Sequence, residues 1–129
     1  ELLDQPVPPG LEGRSRADAI RGAGRLDGDV IVEWQGVDAW PDRSYSPDIS
    51  EAEYREVTGQ PMRTIISPDG WKLTLSPVDR GELYDLNRDP VELNNLIDEP
   101  AQAGRIRDLA GRLRAWQKAT NDTAPLPGV

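Results

Sequence analysis

The sequence predicts an α+β domain, with an antiparallel sheet of about four strands packed against a C-terminal α-helix and with an extended N-terminal arm. Two observations predict this class. In residues 62–76, two runs of alternating side chains flank a Pro-Asp-Gly turn, which is typical of a β-hairpin with one buried face. From residue 100 onward, apolar side chains recur at three- and four-residue spacing, as on one stripe of a helix.

Length and composition limit the function. The 129 residues provide one domain and one modest core, and an apolar fraction of 36% with twelve Gly and twelve Pro predicts long connections. The net charge of −8 argues against nucleic acid and anionic membranes as partners. The chain has neither Cys nor His, so it lacks disulfides, thiolate ligands, the commonest general base and the commonest metal ligand.

The sequence shows no membrane or targeting signal. No apolar run approaches the roughly 20 residues of a membrane span, and the first ten residues resemble no signal peptide. We therefore expect a soluble chain whose compartment is unknown. The sequon at Asn121 to Thr123 is too short a pattern to indicate glycosylation by itself.

The first elements are short. Residues 1–28 mix Pro, Gly, Arg and Asp, which predicts an arm with at most a short helix near 16–21. Residues 29–34 are β-branched and bounded by glycines, which predicts a strand with one face formed by Val30, Val32 and Trp34. Ser50 and Glu53 resemble a capping box for a helix through about Val57.

The hairpin consists of strands at 62–67 and 71–76, and a second turn leads to a strand at 82–86. Together with 29–34, these strands form an antiparallel meander. The buried face of the hairpin is expected to carry Trp71, Leu73 and Leu75.

A corner then turns the chain from the sheet to the helix. Asp89, Pro90 and Glu92 have the spacing of the N-cap, N1 and N3 positions of one helical turn. Leu93 and Leu96 would dock this turn onto the sheet, and Asn94 and Asn95 suit its end.

The C-terminal helix is expected to start near Pro100. Its apolar stripe comprises Ile106, Leu109, Ala110, Leu113 and Trp116. Its other faces carry Arg105, Arg107, Arg112, Arg114 and Lys118. We interpret these cations as a solvated face, with a phosphate- or sulfate-binding patch as the alternative. The tail, 121–129, is predicted to be an arm or disordered.

Catalytic arrangements are weak in this sequence. Glu33 with Glu82 or Asp85 would be a glycosidase-like pair, but these acids lie on strands that form no recognisable pocket. Ser67 and Ser76 lack a nucleophile-elbow motif, and Lys72 alternates away from the apolar face. The residues therefore favour a non-catalytic module.

A family resemblance is carried by the run "RTIISPDGWKLTLSPVDRGELYDLNRDPVELNNL", by "RIRDLAGRLRAWQKATND", and by "PVPPGLEGRS" before "DVIVEW". These segments resemble, in order and spacing, the C-terminal subdomain of the sulfatases in the alkaline phosphatase superfamily. The resemblance implies a four-stranded antiparallel sheet with a C-terminal helix. It also implies a hydrolase of sulfate esters that uses a formylglycine and a divalent cation.

None of the catalytic positions that this resemblance implies has a match here, since the chain lacks a C/S-x-P-S-R motif and His. We therefore expect no cofactor in this chain, no activity from it alone, and a partner sulfatase catalytic domain, in cis or in trans. The predicted organisation is an arm or linker from that missing domain at 1–28, the α+β domain at 29–120 and a tail at 121–129.

The expected role is structural support, with shaping of the substrate cleft as an extension. Trp40, Arg43 and Tyr45, in the loop at 36–46, are candidates for the cleft rim, since aromatic and Arg side chains suit organic sulfates. The alternative is a variable surface loop. At the level of the whole chain, the alternative is a stand-alone binding or oligomerisation module derived from a sulfatase, which would self-associate through the face otherwise covered.

Overall fold

The computed structural model describes residues 2, 5, 6, 8–10, 15–24, 27–37 and 48–128. In chain order, the elements are α1 (Ala17–Ile20), β1 (Val30–Trp34), α2 (Glu51–Gly59), β2 (Met62–Ile66), β3 (Trp71–Leu75), β4 (Glu82–Asp85) and α3 (Ala103–Thr120), the last preceded by a 3₁₀ turn (Pro100–Gln102). The predicted α+β class and the C-terminal helix are confirmed.

The sheet has the order β1-β2-β3-β4, and every neighbouring pair is antiparallel. Register places Ile65 beside both Ile31 and Leu73, and Leu73 beside Leu83, in one row across the four strands. Helix α3 packs over this row with the stripe that its spacing predicts. The buried core consists of Ile65, Leu73, Leu75, Leu83, Ile106, Leu109, Ala110 and Leu113.

The opposite side of the sheet, which we call the open face, carries the alternate residues of each strand. On β1 and β2 these residues are Val30, Val32, Trp34, Met62, Thr64 and Ile66. Val30, Val32 and Trp34 share one face, as expected, but they remain 45–55% exposed. The core instead receives Ile31, because register pairs Ile31 with Ile65 under α3.

The β2–β3 hairpin requires glycine at its turn. Gly70 has a φ of +83°, and a Cβ there would overlap the side-chain amide of Asn87. That amide donates to the carbonyl of Asp69 at 2.8 Å. The turn between β2 and β3 is therefore tied to the chain that leaves β4.

The N-cap of α2 agrees with the predicted capping box. Ser50 Oγ accepts the N–H of Glu53 at 3.2 Å, and the helix continues to Gly59, slightly beyond the expected Val57. Of the helices that the structure describes, none has both the length and the hydrophobicity that crossing a membrane requires.

Candidate interaction surface

The acids proposed as a catalytic pair are not brought together. Glu33 lies on β1 and Asp85 on β4, which are the two outer strands of the sheet. At a strand spacing of about 4.8 Å, these two strands are about 14 Å apart. Glu82 pairs with Thr74 on the open face, whereas Glu33 pairs with Arg63 on the helix side. A glycosidase-like pair therefore has no support in this geometry.

The candidate nucleophiles have local structural partners. Ser67 Oγ accepts the N–H of Trp71 at 3.2 Å inside the hairpin turn, and Ser76 Oγ accepts the N–H of Asp79 at 3.2 Å. Lys72 Nζ forms an ion pair with Glu92, at 2.5 Å, rather than with either hydroxyl. Within the described ranges, no three Asp or Glu side chains converge as metal ligands.

The corner after β4 differs from the predicted helical turn. The Asp89 carboxylate does accept backbone N–H groups, from Leu93 at 3.1 Å and from Asn94 at 2.8 Å. However, Glu92 has a φ of +58°, and its carboxylate binds Lys72 Nζ rather than reaching back. The prediction of a helical turn from Asp89 through Pro90 to Glu92 is therefore wrong, because a contact from β3 fixes Glu92.

The two leucines of the corner behave differently. Leu93 is 79% exposed, so its predicted docking on the sheet is wrong, whereas Leu96 packs against the core. The two asparagines differ in the same way. Asn94 is exposed, and Asn95 lies against β4, where its Oδ1 accepts the N–H of Leu83 at 3.0 Å.

An ion pair that the sequence analysis missed joins the sheet to the tail. Arg63 on β2 is 1% exposed, and its guanidinium donates to both carboxylate oxygens of Asp122, at 2.7 and 3.0 Å. It also donates to the carbonyls of Trp34 and Met62, each at 2.9 Å. The hydrogen bonds from Arg63 hold the pKa of Asp122 at about 2.

The tail is consequently attached along much of its described length. Gln117 on α3 donates to Asp122 at 2.7 Å and to the carbonyl of Ala124 at 2.9 Å, and Leu126 packs against the core. Alternation in β2, which puts Arg63 on the same face as Ile65, was the one sequence signal for this pair.

Three of the five cations named on α3 make contacts within the domain. Arg105 binds Asp69 at 2.8 Å and lies 5.0 Å from the ring of Trp71. Arg112 forms an ion pair with Asp29, and this hydrogen bond raises the pKa of Arg112. Arg114 donates to the carbonyl of Pro127 at 2.7 Å. The geometry therefore gives no support to a single anion-binding patch on this helix.

Among the described residues, the β1–β2 half of the open face forms an apolar surface that remains exposed. Beside Trp34 it deepens into a hollow of about 370 Å³ at the end of the sheet. The hollow is lined by Trp34, Val37, Val57, Thr58, Met62, Ser76 and Asp79. This mostly apolar surface, open face plus hollow, is the candidate interaction surface.

The proposed rim residues, Trp40, Arg43 and Tyr45, lie outside the residues that the structure describes. The described chain enters their loop at Val37, which lines the hollow and donates its N–H to the carbonyl of Thr58 at 3.2 Å. Their role at a substrate rim stays a prediction.

Neither protein-family models nor curated proteins match this sequence. Solved structures do match. A putative sulfatase from Bacteroides thetaiotaomicron VPI-5482 aligns with a TM-score of 0.65 and 22% identity, and a 2-O GAG sulfatase aligns with a TM-score of 0.66 and 22% identity. Each alignment covers 95% of this chain and 24% of the sulfatase chain. The chain thus has the fold of a segment that makes up about a quarter of each of these sulfatases.

Proposed function

We propose that this chain is the non-catalytic C-terminal domain of a sulfatase-type hydrolase and that it supports a catalytic domain, in cis or in trans. The observation that carries the proposal is the match of nearly the whole chain to about a quarter of two sulfatase chains. In this proposal, sulfuric ester hydrolysis belongs to the catalytic domain.

The candidate interaction surface supplies the physical reason for a partner. Val30, Val32 and Trp34 are about half exposed on one face, next to an apolar hollow. Fully burying an aliphatic side chain of this size contributes about 1.5–3 kcal/mol, so covering this face stabilises an assembly appreciably. The proposal places the catalytic domain on this surface.

The residues of this chain do not fit a sulfatase catalytic centre. The sequence has no His and no Cys, and the described Ser hydroxyls near the sheet serve turns. The cation and formylglycine implied by the resemblance are therefore assigned to the catalytic domain, which would hold and polarise the sulfate ester. The contribution proposed for this chain is positioning and, through the loop at 36–46, the shape of the cleft.

The test is reconstitution with the upstream polypeptide of the same locus, produced separately. Size-exclusion chromatography with light scattering should show co-elution, and hydrolysis of nitrophenyl sulfate should appear only in the mixture. Trp34→Glu should abolish co-elution, because it buries a charge against the partner. Ala115→Glu, which adds the same charge at an exposed site on α3, is the matched control.

Co-elution that is unaffected by Trp34→Glu would move the interface away from the open face. Failure of the wild-type chain to bind, together with full activity of the upstream polypeptide alone, would overturn the proposed function.

A second candidate function is a stand-alone binding or oligomerisation module derived from a sulfatase. One observation favours it: β1, which carries the exposed apolar face, is also an outer strand of the sheet. It therefore presents both side chains and backbone to a partner. A chain that self-associates and ignores the upstream polypeptide would support this candidate.

A further inference from the structure

The two edges of the sheet differ in whether their outward backbone groups have hydrogen-bond partners. At the β4 edge, Leu83 donates its N–H to Asn95 Oδ1 at 3.0 Å and accepts the N–H of Leu96 at 2.8 Å. The carbonyl of Gly81 accepts Asn95 Nδ2 at 3.1 Å. The segment at 95–96 thereby occupies the outward backbone groups of Leu83, and the carbonyl of Asp85 accepts the N–H groups of Arg88 and Asp89, so this edge offers little to another strand.

The direction of the free groups on β1 follows from strand geometry. In an antiparallel sheet, the N–H and C=O of one residue point to the same neighbouring strand. The N–H of Ser67 donates to the carbonyl of Trp71 at 2.8 Å, so the backbone groups of Ser67 point to β3. Successive residues of a strand point to opposite neighbours, so those of Thr64, three residues earlier, point to β1. Its partner Val32 therefore points to β2, and Ile31 and Glu33 point away from the sheet.

In the part of the chain that the structure describes, the backbone of the β1 edge is uncovered, and Glu33 is the one charged residue of the strand. No described group bonds to the backbone of Ile31 or Glu33, and residues 30–34 contain neither Lys nor Pro, the usual blocking residues. Three of the five residues of β1 are apolar and about half exposed. β1 is therefore competent to accept a further strand.

We propose that the occupant is β1 of a second copy, paired antiparallel about a two-fold axis through Val32, so that one sheet continues across both copies. In this register, Ile31 of one copy lies opposite Glu33 of the other, and the two exchange the backbone hydrogen bonds that each edge leaves free. Val30 of one copy lies opposite Trp34 of the other, and the two Val32 residues lie opposite each other. Each exposed apolar side chain thereby gains an apolar cross-strand neighbour.

Charge and apolar contact together select this register over its neighbours. Only registers shifted by two residues keep Ile31 and Glu33 facing the free edge of the other copy. An axis through Glu33 places two Glu33 carboxylates opposite each other. An axis through Ile31 leaves Trp34 opposite Gly28, without an apolar neighbour, and places Glu33 opposite Asp29, whose charge Arg112 balances. The axis through Val32 alone pairs each acid with an uncharged residue and each exposed apolar residue with another.

Two cysteine variants test the register directly, since the chain has no Cys. In Val32→Cys, the two introduced residues would form a non-hydrogen-bonded pair with Cα atoms about 4.5 Å apart, which a disulfide spans. In Val30→Cys, on the same face and equally exposed, they would lie about 14 Å apart. Under mild oxidation, Val32→Cys should give a covalent dimer on a non-reducing gel, and Val30→Cys should remain a monomer.

A backbone variant tests the edge independently of oxidation. Glu33→Pro removes an outward N–H while sparing the bonds to β2, and Glu33→Ala removes the same side chain but keeps the N–H. Light scattering over a wide concentration range should show a dimer for the wild-type chain and Glu33→Ala, and a monomer for Glu33→Pro. Circular dichroism should show that all three are folded.

Three results would overturn the proposal: a wild-type chain that is monomeric at every concentration, a dimer that survives Glu33→Pro, or equal crosslinking of the two cysteine variants. The proposal does not depend on a catalytic partner, because Glu33→Pro alters the edge and leaves the side chains of the open face in place.

Discussion

At the scale of single residues, the contact between Arg63 and Asp122 compensates a charge that is almost fully buried. A buried guanidinium without a counter-charge is costly, and here one carboxylate accepts two hydrogen bonds from it. Two further bonds, both from Nη1, go to backbone carbonyls at the ends of β1 and β2. The tail beyond α3 is therefore part of the domain's stability.

Replacing Asp122 by Asn should lower the free energy of unfolding by about 2–4 kcal/mol, because Arg63 stays buried while its counter-charge is lost. The measurement is urea denaturation followed by circular dichroism. Asp108→Asn is the control. Asp108 also binds an arginine, at 3.2 Å, but it is 56% exposed, so this change should cost about 0.5 kcal/mol or less. Equal effects of the two changes would contradict the assigned role of Asp122.

The same pair predicts how stability depends on pH. The pKa of Asp122 is about 2 in the folded chain, below the ordinary 3.8 of an aspartate, so its stabilisation is complete at pH 5 and is lost as the pH falls through 2. The contribution is roughly 2 kcal/mol, because each unit of difference between the folded and unfolded pKa corresponds to about 1.4 kcal/mol. The stability difference between wild type and Asp122→Asn should therefore shrink between pH 5 and pH 2, and a constant difference would contradict the prediction.

At the scale of elements, the decisive feature is the corner at 89–97, which closes the β4 edge through Asn95. This one side chain accepts the N–H groups of Leu83 and Ile97, both at 3.0 Å, and donates to Gly81. Its amide thus takes the place of a fifth strand. The adjacent Asn94 is exposed and makes no comparable contact in the described chain.

Asn95→Ala should lower the free energy of unfolding by about 1–3 kcal/mol, because partly buried backbone groups on β4 lose their partners. It should also speed amide hydrogen exchange at Leu83, measured by NMR. Asn94→Ala offers a matched comparison, and we expect a change within about 0.5 kcal/mol. Equal stability losses in the two variants would show that the edge is held by other groups.

The sheet and α3 were predictable because their signals are local. Alternation across residues 62–75 and the three- and four-residue spacing of Ile106, Leu109 and Leu113 each specify one buried side. The corner was not predictable in the same way, since an Asp-Pro turn followed by Glu fits either a helical turn or a loop. In the structure, Glu92 instead pairs with Lys72, which is distant in sequence, so this contact arises only once the sheet has formed.

At the scale of the whole molecule, the fold has one covered side and one covered edge. Helix α3 covers one face of the sheet, and the corner covers β4, while the opposite face and the β1 edge remain exposed in the described part. Strand β1 belongs to both, since it carries exposed apolar side chains on that face and its backbone forms that edge. The sequence predicted that Val30, Val32 and Trp34 share a face, but only the register of β1 with β2 shows that this face points away from the core.

The ion pair between Arg63 and Asp122 also constrains the order of events during synthesis. These residues are 59 positions apart, and the carboxylate lies beyond the last helix. As a ribosome extends the chain, all four strands emerge before the group that neutralises β2's buried cation. Arg63 lacks this counter-charge until then, and we therefore expect the domain to reach its native packing only once residue 122 has left the exit tunnel.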